Sequence, residues 1–216
     1  MVGISNADCM KIESGRAEVN SRKMQAELSK AKIIKTSFEL FESHGIGNVS
    51  IESICNAAQI SNGAFYHHFS SRDQLVVLYT REPLHSLLES KIVPKIGKKP
   101  TRELILTFFE SIFTWIDKSG VEWSKTYYVS SLSLGKNDSY VSMVPYSTLL
   151  KIFEKGRERS EVPKTHSAGF YTEYLFSILN GMSISWCQQG GETDLLLNGK
   201  AYIEMAYDSI VSLAGD

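Results

Sequence analysis

At 216 residues, 43% hydrophobic and 22% charged, the chain suits one large domain or two small ones. No apolar run approaches the roughly 18 residues of a membrane span, and the first twenty residues lack a cationic start followed by an apolar block, so no membrane insertion and a cytoplasmic location are expected. The formal net charge of -1 excludes a uniformly basic DNA coat, but not a protein whose basic groups sit at one end.

Residues 1–20 show no sustained period and read as a mobile arm. From about Ser21 to His44 a strong helix is predicted, with Ala31, Ile34, Phe38 and Phe41 at steps of three and four, stopped by Gly45 and Gly47. Over its first half Arg22, Lys23, Lys30, Lys32 and Lys35 face only Glu27, so the charge is asymmetric. Ser50 starts a short helix carrying Ile51, Ile54 and Ala58. Gln59-Ile60-Ser61 makes a tight turn, and Ser61 starts a second short helix through Phe65 to Phe69.

Phe65 and Phe69 share one face of that second helix. The other face offers Asn62, Gly63, Ala64, Tyr66 and His67, small or polar groups suited to a polymer backbone and base edges. This is the anatomy of a helix-turn-helix whose second helix enters the DNA major groove. Ser50 is read as both a cap and a phosphate contact, Ser61 as a cap rather than a base reader, Tyr66 and Arg72 as phosphate contacts rather than a core aromatic and a solvated surface arginine, and Asn62, Gly63, Ala64 and His67 as groups meeting the DNA.

Ser70 or Ser71 caps a longer helix with Asp73 in its first turn, which Pro83 should bend or interrupt. After a turn at residues 97–100, helices are predicted over 101–118, 121–134 (broken by Lys136-Asn137-Asp138), 147–159 (ended by Glu161-Val162-Pro163), 167–189 and 198–213. No strand pairs are found, and the fold class is all-α. The expected division is an arm at 1–20, a DNA-binding domain at 21–82 and a ligand-binding and dimerisation domain at 83–216.

The helix at 167–189 has two stripes. Ala168, Tyr171, Leu175, Ile178 and Met182 form one; Phe170, Tyr174, Ser177, Gly181 and Ser185 form the other. The last helix repeats the arrangement with Ile203, Ala206, Ile210 and Leu213, plus Tyr202, Met205 and Ser209 on a neighbouring face. Two such helices exceed what one core needs and suggest a four-helix dimer interface, with Tyr174, Ser177, Gly181, Ile203 and Ile210 assigned to it. Aromatic residues are dense in the second half; Phe109, Phe113, Trp123, Tyr127 and Trp186 are chosen as lining for an apolar ligand site.

Cys9, Cys55 and Cys187 are odd in number and lack metal-ligand spacing, so no metal and no disulfide framework is expected. No Ser-His-Asp set, P-loop, dinucleotide fingerprint or metal motif is present in the sequence, so neither catalysis nor a cofactor is expected.

The run from Ala31 to Leu75 closely resembles the TetR/AcrR family of one-component transcription regulators. The matching residues are Phe38-Glu-Leu-Phe41, Gly45, Ser50-Ile-Glu-Ser-Ile54, Ala57-Ala58, Ile60-Ser61, Gly63, Phe65-Tyr66, Phe69 and Arg72-Asp-Gln-Leu75. The chain departs from the family at Asn62, where a basic residue is usual, and at His67-His68. The resemblance implies a homodimeric regulator, expected to repress from a palindromic operator and to be released by an apolar or amphipathic effector. The alternative is an architectural or partner-recruiting DNA-binding protein with a filled second domain. A pocket lined by the aromatics would separate the two.

Overall fold

The computed structural model describes the backbone of residues 6–134 and 144–212, and side chains over 23–134 and 145–212. The described residues form α-helices, one 3-10 turn (Val93–Lys95) and no strand. The helices are α1 (Asn6–His44), α2 (Ile51–Ala58), α3 (Asn62–His68), α4 (Arg72–Lys91), α5 (Thr101–Ser119), α6 (Val121–Ser133), α7 (Val144–Glu158), α8 (Ala168–Gln188) and α9 (Leu195–Ser212). The expected break at Lys136-Asn137-Asp138 and the terminal Leu213 lie outside the described residues.

Two compact units divide the chain at 1–72 and 73–216. The boundary falls ten residues before the expected one at 82. Asp73 explains this: its carboxylate accepts hydrogen bonds from Ser130 Oγ at 2.7 Å and Ser133 Oγ at 2.6 Å, joining the first turn of α4 to α6. Further along, Leu84 and Leu88 of α4, followed by Ile92, enter the core of the second unit. Pro83 does not interrupt α4; it lies on the exposed side of a helix that continues through it.

In the first unit α1 is much longer than the expected 21–44, because residues 6–20, read as an arm, are helical. Apolar period detects a buried face, and residues 6–20 show no sustained apolar period, so the sequence carries no such signal there. The inward stripe also differs. Ala31 is exposed and Ile34 and Phe38 are half-buried, while Ile33, Ser37 and Phe41 are buried at steps of four. Ser37 was missed because serine is polar; its hydroxyl donates to the Ile33 carbonyl at 2.7 Å, so it enters the core satisfied. Gly45, at φ 82°, ends α1, its N–H donating to the Phe41 carbonyl at 3.0 Å.

In the second unit α5 packs on α6, α7 and α9, while α8 packs on α6, α7 and α9. The core holds Phe108, Phe109, Phe113, Phe153, Tyr171, Leu175, Phe176 and Trp186. Pro100 gives α5 no side-chain cap, and Glu161 serves instead. Its carboxylate accepts from both the N–H and the hydroxyl of Thr101 at 2.7 Å. These bonds hold the Glu161 carboxyl below its ordinary pKa. The segment Glu161-Val162-Pro163, expected only as a breaker, thus also starts a distant helix.

Gly199 lets α9 approach α5. A Cβ there would stand 2.6 Å from the ring of buried Phe113. Gly199→Ala should therefore destabilise the protein by about 1–3 kcal/mol through overpacking. Denaturant unfolding should give a lower midpoint with an unchanged slope; an unchanged midpoint would contradict the close packing.

Candidate nucleic-acid interface and effector cavity

A seven-residue helix such as α3 has too few internal hydrogen bonds to persist alone. Its neighbours hold it. Phe65 and Phe69 are buried, with ring centroids 5.8 Å apart, and α2 packs against α3. The turn that aims α3 is tight. Gln59 is left-handed at φ 53°, ψ 50°, and the Ile60 N–H donates back to the Cys55 carbonyl at 3.0 Å. Cys55 is buried beneath it, and burial pushes its thiol pKa up, away from the reactive thiolate.

Both serine caps form as expected. Ser50 Oγ accepts from the Ser53 N–H at 3.1 Å while Ser53 Oγ accepts from the Ser50 N–H at 3.0 Å, a reciprocal capping box. Ser61 Oγ accepts from the Ala64 N–H at 3.1 Å. These two side chains shape the motif first, and each remains exposed.

The outward face of α3 carries Asn62, Gly63, Tyr66 and His67, all exposed, with Ala64 and His68 half-buried. Tyr66 is 57% exposed although its ring packs edge-on to Phe65 at 5.5 Å. Gly63 has no internal reason to be glycine, since a Cβ would meet nothing nearer than the Ser61 hydroxyl at 3.8 Å. Its bareness leaves a stretch of helix backbone uncovered.

Arg72 is placed differently from the expected phosphate contact. Its guanidinium donates to the Ile46 carbonyl and lies over the Phe41 ring at 5.8 Å, half-buried within the first unit. It ties the loop after α1 to the start of α4. Lys30 similarly sits 5.9 Å from the Phe69 ring.

In the second unit an apolar cavity is lined by Val77, Leu84, Ile112, Trp115, Ile116, Trp123, Tyr127, Tyr128, Phe176 and Leu179, with Thr80, Arg81, Ser124 and Asn180 among its polar groups. It is narrow, with a cavity volume of about 60 Å³. Trp123 and Tyr127 stack at 5.8 Å and 9°, and Trp115 stands edge-on to Trp123 at 4.7 Å.

Of the five aromatics chosen from sequence, Trp123 and Tyr127 line this cavity. Phe109, Phe113 and Trp186 do not. Phe109 and Phe113 are buried together with ring centroids 6.4 Å apart, and Trp186 donates its indole N–H to the Thr193 carbonyl at 3.1 Å. Helix phase makes the distinction: the α5 residues that reach the cavity are Ile112, Trp115 and Ile116. Trp115 and Tyr128, present in the same aromatic cluster of the sequence, were the missed members.

The exposed stripe of α8 holds Phe170, Tyr174, Ser177 and Gly181, with Ser185 half-buried, while Tyr202, Met205 and Ser209 of α9 are also exposed. Tyr174 Oη and Ser209 Oγ lie 3.5 Å apart across the two helices. Ile203 and Ile210, assigned to the interface, instead point inward and are at most 2% exposed. Their i, i+7 spacing is that of the buried face, with Ala206 between them. Among the described residues no group of three or more His, Cys, Asp and Glu stands together to hold a metal, and no helix is long and apolar enough to cross a membrane.

Residues 33–78 match the family model of bacterial regulatory proteins, tetR family. The N-terminal segment is thus similar to the DNA-binding segment of that family. Its relatives include the HTH-type transcriptional regulator UidR of Escherichia coli K12, 29% identical over 58 residues, 27% of this chain and 30% of that one. The probable acrEF/envCD operon repressor of the same strain is 26% identical over 84 residues, 38% of each chain. The chain thus matches only about a third of these curated relatives' length.

Similarity of fold reaches further along the chain. Thermus thermophilus FadR, a transcriptional repressor solved with lauroyl-CoA, superposes with a TM-score of 0.68 at 14% identity, over 82% of this chain and 93% of that one. SmeT, repressor of a Stenotrophomonas maltophilia multidrug efflux pump, gives 0.56 at 14% identity, over 84% and 90%.

Burial in the cavity wall pushes Tyr127 up to about 12. Tyr128 is raised further, chiefly by burial, against the opposing effect of its Ser183 hydrogen bond. Both phenols hold their protons more tightly folded than unfolded. Their contribution to stability is complete below the ordinary tyrosine pKa near 10 and is lost as pH rises through the folded values. Titration by phenolate absorbance should leave both protonated at about pH 11, and Tyr127→Phe with Tyr128→Phe should flatten the alkaline fall in stability. Ionisation of every tyrosine near pH 10 without unfolding would contradict the enclosed wall.

Proposed function

We propose that this chain is a ligand-responsive, sequence-specific DNA-binding transcription regulator of the cytoplasm, acting as a repressor on a palindromic operator. The observation that carries the reading is α3: a short helix anchored by Phe65 and Phe69, with Asn62, Gly63, Tyr66 and His67 turned outward. A helix so held can enter a major groove, with its small and polar groups at base edges and Tyr66 at a phosphate. The match of residues 33–78 to the TetR family supports it, as do relatives described as regulators and repressors.

The chain would act as a homodimer through the outer faces of α8 and α9. Phe170, Tyr174, Tyr202 and Met205 are exposed there, and around Gly181 a Cβ would meet nothing within 4 Å. Bare helix surface of this kind suits close approach by a partner helix. A two-fold dimer puts two α3 helices on half-sites about 34–36 Å apart, one turn of DNA.

The aromatic cavity favours an effector over the architectural alternative, which needs a filled core. Its lining suits an apolar or amphipathic molecule. Fold neighbours solved with lauroyl-CoA and with triclosan bound are consistent with that use. An effector that binds the DNA-free form more tightly must weaken DNA binding by the same factor. The narrow space must widen to take a drug-sized ligand, since such sites usually span about 300–1,000 Å³.

Enrichment of bound duplexes from a random pool tests the function. The expected product is an inverted repeat bound by a dimer, with affinity falling steeply as salt rises. Tyr66→Phe should weaken all duplexes similarly, whereas Asn62→Ala should relax preference at one position of each half-site by about 1–3 kcal/mol. Absence of any enriched sequence would overturn the proposal. Sequence preference altered by Tyr66→Phe with non-specific affinity intact would overturn its phosphate role.

A further inference from the structure

One cavity-wall group is left unused by the protein. Ser124 of α6 lines the cavity, is 1% exposed, and its Oγ has no hydrogen-bond partner among the described residues. Helical serines and threonines commonly return their hydroxyl to the carbonyl four residues back. Ser37, Ser111, Ser119, Thr172 and Ser183 all do so. Ser124 does not, although its N–H donates to the Gly120 carbonyl at 3.0 Å.

A buried hydroxyl without a partner loses its hydration and gains nothing in return. Such groups are few in folded proteins, and each calls for a cause. Of the other hydroxyls in the wall, that of Thr80 already donates to the Val76 carbonyl at 3.0 Å. Much of the remaining cavity wall is ring surface, from Trp115, Trp123, Tyr127, Tyr128 and Phe176.

We infer that the cavity takes an aromatic molecule bearing a hydrogen-bonding group, and that Ser124 Oγ is the residue that bonds it. The inference rests on the effector role proposed for the cavity. Ring walls supply affinity by offset and edge contacts, which any flat apolar molecule can satisfy. The serine supplies selectivity. Apolar pockets discriminate weakly between isosteres, whereas a buried hydroxyl that must be paired disfavours a ligand that leaves it empty.

The test uses p-cresol and p-xylene, which share a shape and exchange a hydroxyl for a methyl. Each is titrated into the full-length wild-type protein and Ser124→Ala, following emission from Trp115 and Trp123 in the cavity wall, with calorimetry as a second readout. The ratio of p-cresol to p-xylene affinity should fall roughly tenfold in Ser124→Ala, the loss of one buried hydrogen bond. The ligand-free variant should be at least as stable as wild type, because the hydroxyl holds nothing. If both probes bind and the ratio is unchanged, Ser124 has no such role although the cavity still accepts ligands. If neither binds wild type, the effector reading of the cavity falls and takes this inference with it. A ligand-free variant that unfolds more easily would make Ser124 structural and overturn the assignment.

Discussion

Burial of Phe65 and Phe69 is the interaction on which the candidate DNA surface depends. Seven residues cannot nucleate and hold a helix in water unaided. With two aromatic rings buried and α2 packed alongside, α3 has a defined rotation about its own axis. That rotation decides that Asn62, Gly63, Tyr66 and His67 face outward together. The left-handed Gln59, the two serine caps and the Arg72–Ile46 tie refine the same placement. None of these contacts needs DNA, so the surface is organised before any partner arrives, and binding pays little to order it.

The second unit solves another problem. Its helices bury a continuous apolar core, while α8 and α9 keep a second apolar face outside. Gly199 and Glu161 fix local geometry there, one by removing a side chain and the other by capping α5. The cavity beside α6 is narrow and apolar, with one buried hydroxyl unused. Under the proposed function these are the two working features of this unit: a face for a second copy and a space for an effector.

The helix-turn-helix was legible because its signals are local. Serine caps, a three-residue turn and aromatic spacing are read within twenty residues, and both short helices begin where Ser50 and Ser61 say they should. For Arg72 the sequence shows a charge but not the Ile46 carbonyl to which its guanidinium donates. Ser37 was passed over because its satisfaction comes from backbone four residues earlier. In the second unit the helices were legible, yet the cavity was not. Phe109 and Trp115 are equally aromatic, and only packing of neighbouring helices sends one to the core and the other to the cavity. Ile203 and Ile210 show the same limit, since a helix with two apolar faces does not say which is inside.

The outward face of α3 is the central claim, and His67 reports on it directly. It is exposed, whereas neighbouring His68 is half-buried. Diethyl pyrocarbonate modification of the full chain, read out residue by residue, should label His67 readily in the free protein. Adding an enriched duplex should slow labelling of His67 strongly, while His85 and His166 in the second unit keep their rates. A His67 that reacts equally fast with saturating specific duplex bound would contradict the account, because the DNA would then be held by some other surface.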